Sequence, residues 1–260
     1  MSGAIGAVPG DRASVLLGRA FRDEGAQVAV VDLEPELPRP RDLSSLERVL
    51  AEGATTVDLS DWSATRADAV ALASAVRGRD LTAVVPTDDV ERPLTGLTGA
   101  AVEATRRDGA DLAAGLAADA EAGAWLASLG IDDGPGAGAL DGLGAVLRHE
   151  GVRLVDRLDQ AIEASGVRAT AAEADLLVTG CTDLDFHARG GPLVERVVAL
   201  AGEVLRPVIV VAARNFVSAR ELRLVGIESA HALHPGQEPP TVTEPALAAL
   251  AARVARTWRW

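Results

Sequence analysis

Three short, largely apolar runs constrain this sequence more than anything else in it: Leu81 to Pro86, Asp175 to Thr179 and Pro207 to Ala212. A strand without alternation of polar and apolar residues is covered on both faces, which points to a parallel sheet flanked by helices. Helical apolar spacing fills the intervals. Leu193 to Val204 forms the crossover between the last two runs, and a final helix starts with Thr243 as N-cap and Pro245 in its first turn. Ala-rich sequence from Gly109 to Ala127 favours a long helix, and a glycine-rich turn opens at Asp133. Further helices are expected around Leu143 to His149 and from Val155 to Ala164, the latter stopping at Gly166.

The start of the chain alternates in the same way. Ser14 to Asp23 has helical spacing, and Gln27 to Leu33 is a β-branched run bounded by Gly25 and the Pro-containing stretch Glu34 to Arg41. Ser44 with Glu47 three residues later makes a capping box for a helix that ends at Gly53. Strands alternating with helices predict a doubly wound, mostly parallel α/β fold of Rossmann-like type. Two segments are expected, residues 1–110 and 111–260, with their packing as one unit left open.

Composition excludes several chemistries. All 25 basic residues are Arg, so the chain contains no lysine, and it contains no tyrosine. That rules out a P-loop lysine, a Schiff base and a Tyr/Lys catalytic pair, because Arg does not give up its proton. A formal charge of −13 repels phosphate backbones, and Arg106-Arg107 is the only adjacent basic pair, so nucleic acid is not an expected partner. Apolar stretches break before the ~18 residues that a span needs, and the start lacks the basic-then-apolar pattern of a leader. No membrane partner is expected. The single cysteine, Cys181, agrees with the reducing cytoplasm.

Among groups able to do chemistry, Asp89 and Asp185 each follow an apolar run, and the C-terminal ends of parallel strands are where open α/β sheets bind ligands. The same residues also serve as ordinary caps. Gly136, Gly138, Gly142 and Gly144 would let backbone N–H groups approach a phosphate at the start of the following helix, or simply punctuate the chain. Cys181 and His187 evoke a thiol and its base, against the commoner role of a buried cysteine as a small hydrophobe. His231 and His234 near Pro235 lack a third metal ligand and read as a surface loop.

Larger motifs give these residues a context. Asp89-Val90-Glu91-Arg92-Pro93-Leu94-Thr95-Gly96 followed by Gly99-Ala100 resembles the D-V-x-N-P-L-T-G-x-x-G-A stretch of bacterial glycerate kinases. Pro135-Gly136-Ala137-Gly138-Ala139-Leu140-Asp141-Gly142-Leu143-Gly144-Ala145 is similar to that family's P-G-A-G-A-A-G-G-L-G-A loop, and Ala174 to Gly180 to its A-D-L-V-I-T-G strand. The motifs keep the family's order, and the resemblance runs from about Thr56 to the C-terminus. It implies a glycerate kinase-like fold, with residues 1–110 a remnant of the family's second domain, and ATP- and magnesium-dependent phosphoryl transfer to glycerate. By the same resemblance Asp185 and Asp89 are the catalytic candidates, Asp185 also the metal ligand, and Gly136, Gly138, Gly142, Gly144 and Gly180 the nucleotide- or substrate-binding positions.

The sequence departs from the family where charge matters. Cys181-Thr182-Asp183-Leu184-Asp185 stands for E-G-x-x-D, Gly191-Pro192 for G-K, and Asp141 for a glycine. The family's N-terminal lysine- and serine-containing segment has no counterpart. Arg189, Arg206 and Arg214 are the nearby cations. These departures imply weakened or lost transfer, the alternative being a pseudoenzyme that binds a metabolite or a protein. The expected partner is a glycerate-like molecule or none, with a homo-oligomer left open. A remote alternative comes from Gly3, Gly6 and Gly10, then a helix, then Val28 to Asp32, which mimic the nucleotide half of a short-chain dehydrogenase. That chemistry needs the Tyr and Lys this chain lacks.

Overall fold

Residues 8–31, 33, 36–63, 65–234 and 242–258 are described in the computed structural model. The chain divides into two units, Glu36–Gln160 and Met1–Pro35 with Ala161–Trp260. In chain order the first helix is α1 (Gly10–Asp23). Then come α2 (Leu43–Ala51), β1 (Thr56–Asp58), α3 (Ala69–Val76), β2 (Thr82–Val84), α4 (Ala100–Arg107), α5 (Leu112–Leu129), α6 (Leu143–His149) and β3 (Arg153–Val155). They are followed by α7 (Arg157–Ala164), α8 (Val167–Glu173), β4 (Leu177–Leu184), α9 (Pro192–Glu203), β5 (Val208–Asn215), α10 (Ala219–Leu224), β6 (Ser229–His234) and α11 (Glu244–Thr257). Among the described residues no helix is long and apolar enough to cross a membrane.

Each unit has its own three-stranded parallel sheet, ordered β1-β2-β3 and β4-β5-β6. The α/β class with parallel pairing agrees with the expectation. The boundary does not fall near residue 110, because α6 and β3 complete the first sheet and its core. There Leu46, Leu50, Val57, Leu72, Val76, Leu143 and Leu147 pack together.

The second sheet shows why continuous apolar runs mark parallel strands. Val208 to Ala213 are all fully buried. Ile209, Val211 and Ala213 face α1 and α11, while Val210 and Ala212 face Val194 of α9 and Leu222 of α10. Helices therefore cover both faces of this sheet. Leu247, Leu250, Ala251, Val254 and Ala255 form the buried stripe of α11, whose N-cap is Thr243 as expected.

Several local expectations are corrected. Gln27 to Val31 are not in a strand; the segment lies along α1, with Val30 Cγ2 2.7 Å from where a Gly18 Cβ would sit. Its carbonyl at Val28 is bound by Arg22 Nη2 at 3.1 Å. The dehydrogenase-like strand is therefore not formed there, Gly10 opens α1, and Gly3, Gly6 and Asp32 lie outside the described residues. The capping box of α2 uses Asp42 and Ser45, not Ser44 and Glu47: Asp42 Oδ1 accepts from Ser45 N at 2.8 Å and Ser45 Oγ from Asp42 N at 3.1 Å. His231 and His234 belong to strand β6, held by the pairing of Ala230 and Ala232 with Val210 and Ala212; Pro235 lies outside the described residues. β3, α8 and α10 are too short to stand out in the sequence.

One carboxylate ties the loops of the first unit together. Asp133 Oδ1 accepts from the N–H groups of Leu94 and Gly134, both at 2.9 Å, and Oδ2 from Thr95 N at 2.9 Å and Thr95 Oγ1 at 2.5 Å. The Gly96 N–H is bound by Asp119 Oδ1 at 2.6 Å. Burial raises the Asp133 pKa, but the hydrogen bonds from Thr95, Leu94 and Gly134 outweigh it, leaving the carboxyl below its ordinary value.

Asp133→Asn replaces one acceptor oxygen by a donor that meets N–H groups, and hydrogen bonds to a charged group contribute roughly 1.5–3 kcal/mol each. Denaturant unfolding at neutral pH is expected to show a loss of roughly 2 kcal/mol, allowing for relaxation. Because the folded pKa lies below the unfolded value of about 3.9, the gap between wild type and variant should be full above that pH and close as pH falls through the folded value. A gap unchanged on acidification counts against the ionised Asp133 as its source.

Candidate functional site

The candidate residues fall into two groups. Asp89 and the glycine-rich loop belong to the first unit, and Asp185 and Gly180 belong to the second.

In the first unit, a 3₁₀ turn over Thr87–Asp89 follows β2 and places Asp89 at the strand's C-terminal end. Its carboxylate pairs with Arg92, Nη1 to Oδ1 at 3.1 Å. Desolvation outweighs that attraction, so Asp89 is more readily protonated than an ordinary aspartate. The turn and the glycine loop are brought together. A Cβ at Gly136 would meet the Val90 carbonyl at 2.8 Å, and one at Gly138 the Pro93 carbonyl at 2.5 Å, while Gly138 N–H donates to the Arg92 carbonyl at 2.9 Å. A Cβ at Gly144 would overlap the Gly136 carbonyl. Close approach of the protein's own backbone is thus enough to require glycine at these positions.

The loop also carries strain. Leu140 and Asp141 both adopt left-handed φ, 54° and 55°, and Gly142 follows at 96°. Asp141 holds this conformation with help from Arg66, whose Nε donates to the Asp141 carbonyl at 2.9 Å and whose Nη2 reaches Oδ1 at 3.1 Å. The Arg66 guanidinium also lies over the Trp125 ring, 5.5 Å from its centroid. Glycine adopts such a φ freely; aspartate does so only at a conformational cost.

In the second unit, Gly180 sits inside β4, in register with Val211 of β5. Beyond it, Asp183 forms a bidentate pair with Arg214 on the neighbouring strand, Nε to Oδ1 at 2.6 Å and Nη2 to Oδ2 at 2.7 Å. Hydrogen bonding from Arg214 lowers the Asp183 pKa against the effect of burial. Asp185 closes the turn after β4: its Oδ1 accepts from the N–H groups of His187 at 2.8 Å and Ala188 at 2.7 Å. Pro192, at the family's lysine position, is the first residue of α9. Of the expected cations, Arg214 is bound to Asp183, and Arg206 donates to the Ala172 carbonyl at 2.8 Å. Arg189 lines a shallow depression with Asp185 and Glu221.

A cluster that sequence reasoning did not single out sits at the end of β1. Asp58 is 2% exposed, accepts from Ser60 N at 3.0 Å, and pairs with Arg39 at 3.3 Å and with Arg157. Its signal was a charged residue closing a short strand and flanked by Val57 and Leu59, in Val57-Asp58-Leu59-Ser60. Asp133 was likewise legible only as the opening of a turn. Among the described residues no group of three or more His, Cys, Asp or Glu side chains is placed to hold a metal ion.

Comparison with known proteins gives this geometry a lineage. The chain is 33% identical over 153 residues to the uncharacterized protein Mb2228c of Mycobacterium bovis and, to the same extent, to the uncharacterized protein MT2261 of Mycobacterium tuberculosis. Those matches cover 56% of this chain, which spans 40% of the length of each relative. The fold is similar to the crystal structure of a provisionally named glycerate kinase 2 from Salmonella typhimurium LT2, with a TM-score of 0.61 and 16% identity over 96% of this chain and 94% of that one. A model of the glycerate kinase family matches residues 51–259, and the chain, which carries that family's loops in order around its two parallel sheets, belongs to the glycerate kinase family.

Proposed function

We propose that this chain is a glycerate kinase-family binder of a small, glycerate-like metabolite in which phosphoryl transfer from ATP is lost. One observation carries the reading: both candidate catalytic carboxylates are engaged within their own units, Asp185 by the N–H groups of His187 and Ala188 and Asp89 by Arg92. Phosphoryl transfer depends on cations around the phosphates and on a carboxylate that orients the hydroxyl or holds magnesium.

The residues present fit those groups poorly. Cys181 occupies the family's glutamate position, and hard Mg²⁺ prefers oxygen ligands. The neighbouring Asp183 is taken up by Arg214. At Gly136, Gly138 and Gly144, expected to cradle phosphates, the Cβ side faces backbone of the same unit and the Gly138 N–H is bound by the Arg92 carbonyl, and Asp141 adds negative charge beside them. No step is therefore assigned to ATP or magnesium.

Cys181 does not replace the missing chemistry. Burial, reinforced by Asp183 and Asp185, pushes its thiol up to about 12. It stays protonated at neutral pH, and only the thiolate is a nucleophile. An aromatic disulfide reagent at about pH 8 is expected to leave the native protein unmodified and to react fully once denaturant exposes the thiol; rapid native-state reaction would restore the thiol–base reading.

The activity itself is tested by following ADP formation from Mg·ATP and glycerate with the full chain. Wild type and Asp185→Asn are expected to give the same rate, at the protein-free background. Removal of a transition-state-stabilising group typically costs about 10²–10³ in rate, so turnover that falls by that much in Asp185→Asn would overturn the proposal. Calorimetric titration with glycerate is expected to show saturable binding to the folded chain. No heat would remove the ligand from the reading.

A further inference from the structure

α5 is apolar on nearly every side. Of its 18 residues only Asp119 and Glu121 carry charge, and a helix without a polar face is ordinarily covered all round. Here only Gly115, Ala122 and Leu126 are fully buried, the last two packed with Leu94, Ala101 and Ala145. On the opposite side Ala113, Leu116, Ala120, Ala124 and Ala127 are exposed, at the three- and four-residue spacing that sets side chains in one row along a helix. At ~1.5 Å per residue the row spans about 21 Å.

Large side chains enlarge this surface unevenly. Leu112 and Leu116, in the N-terminal half of the helix, are 62% and 49% exposed, and Leu97 is 65% exposed. The loop that carries Leu97 is held against the middle of α5. Asp119 Oδ1 accepts from the Gly96 N–H at 2.6 Å, and Thr95 Cγ2 lies 4.0 Å from where a Gly123 Cβ would be. That hydrogen bond engages Asp119 on one flank of the row, and Glu121 borders the other. The row itself is large at Leu116 and small from Ala120 onward, where every member is alanine. Contiguous exposed apolar surface of this kind marks an interaction site.

We infer that through this face the protein pairs with a second copy of itself, α5 antiparallel to α5, across a two-fold axis at Ala120. The order of residues in the row selects that occupant. Antiparallel pairing sets Leu116 of each copy against Ala124 of the other and Ala113 against Ala127, so that large meets small on both sides of the axis, as close packing and a self-complementary contact require. Parallel pairing would set Leu116 on Leu116 and hold the alanines apart. Two chains of net charge −13 repel one another, and contact through a face with so few carboxylates keeps most of that charge at a distance. A contact one helix wide belongs to the small interface class, below about 1,200 Å² in total, which forms reversibly. The inference stands whether or not the protein transfers phosphoryl groups, since none of these residues has a place in that reading.

The test is sedimentation velocity of the full chain over about 1–200 μM, where a reversible monomer–dimer equilibrium is expected. Ala120→Glu puts two carboxylates on the axis and is expected to weaken association at least ~30-fold, the effect of an unpaired charge at an interface. Its circular dichroism should match wild type, because Glu is a good helix former. Val70→Glu, at a 74% exposed position on α3, should leave association unchanged. Cross-linking reads the register. Ala120→Cys is expected to form a disulfide between copies on mild oxidation, the native Cys181 being buried and protonated. Ala113→Cys should do so only when mixed with Ala127→Cys. A monomer throughout the concentration range, a dimer indifferent to Ala120→Glu or equally weakened by Val70→Glu, or cross-linking of Ala113→Cys with itself would each overturn the inference.

Discussion

A parallel strand must bury both of its faces, and that requirement organises both units of this protein. Val208 to Ala213 meet it with side chains that alternate between α1 and α11 on one side and α9 and α10 on the other. Consecutive strands are neighbours in each sheet, so crossover segments supply the cover. The strands' C-terminal ends are left for polar residues, and Asp58, Asp89, Asp183 and Asp185 all occur there. Ligand chemistry in such folds draws on these positions.

Here the protein uses them largely on itself. Asp58 gathers Arg39 and Arg157, Asp183 takes Arg214, and Asp185 closes a turn with two backbone N–H groups. Asp133 does the same between the two motif loops of the first unit, binding N–H groups at Leu94, Thr95 and Gly134. Loops that resemble a phosphate cradle in sequence are thereby closed by a carboxylate and by backbone passing close to glycine. Without lysine, every cation is a planar fork suited to such bidentate pairing. The same inventory explains the preorganised loops.

Much of the architecture was legible in local sequence. The buried strands, the α6 boundaries and the Thr243 cap of α11 follow from apolar periodicity and capping chemistry, which act over a few residues. Gln27 to Val31 was misleading for an equally physical reason: β-branched residues suit any extended segment against an apolar surface, and here that surface is α1 at Gly18. The capping box shifted to Asp42 and Ser45 because Asp, Ser and Thr all cap well, and a cluster of them leaves the register open.

The sequence alone determined the α/β class, the parallel pairing and the family, because these rest on periodicity and on ordered motifs. It also determined the absence of lysine chemistry, which is a matter of composition. Only the tertiary structure decided which polar groups remain available. Whether Gly136 faces a ligand or the Val90 carbonyl, whether Asp183 is free or held by Arg214, and whether Asp119 is free or turned to the Gly96 N–H all depend on pairs of residues far apart in the chain. Such pairs meet only once the sheets have formed and brought their loops together.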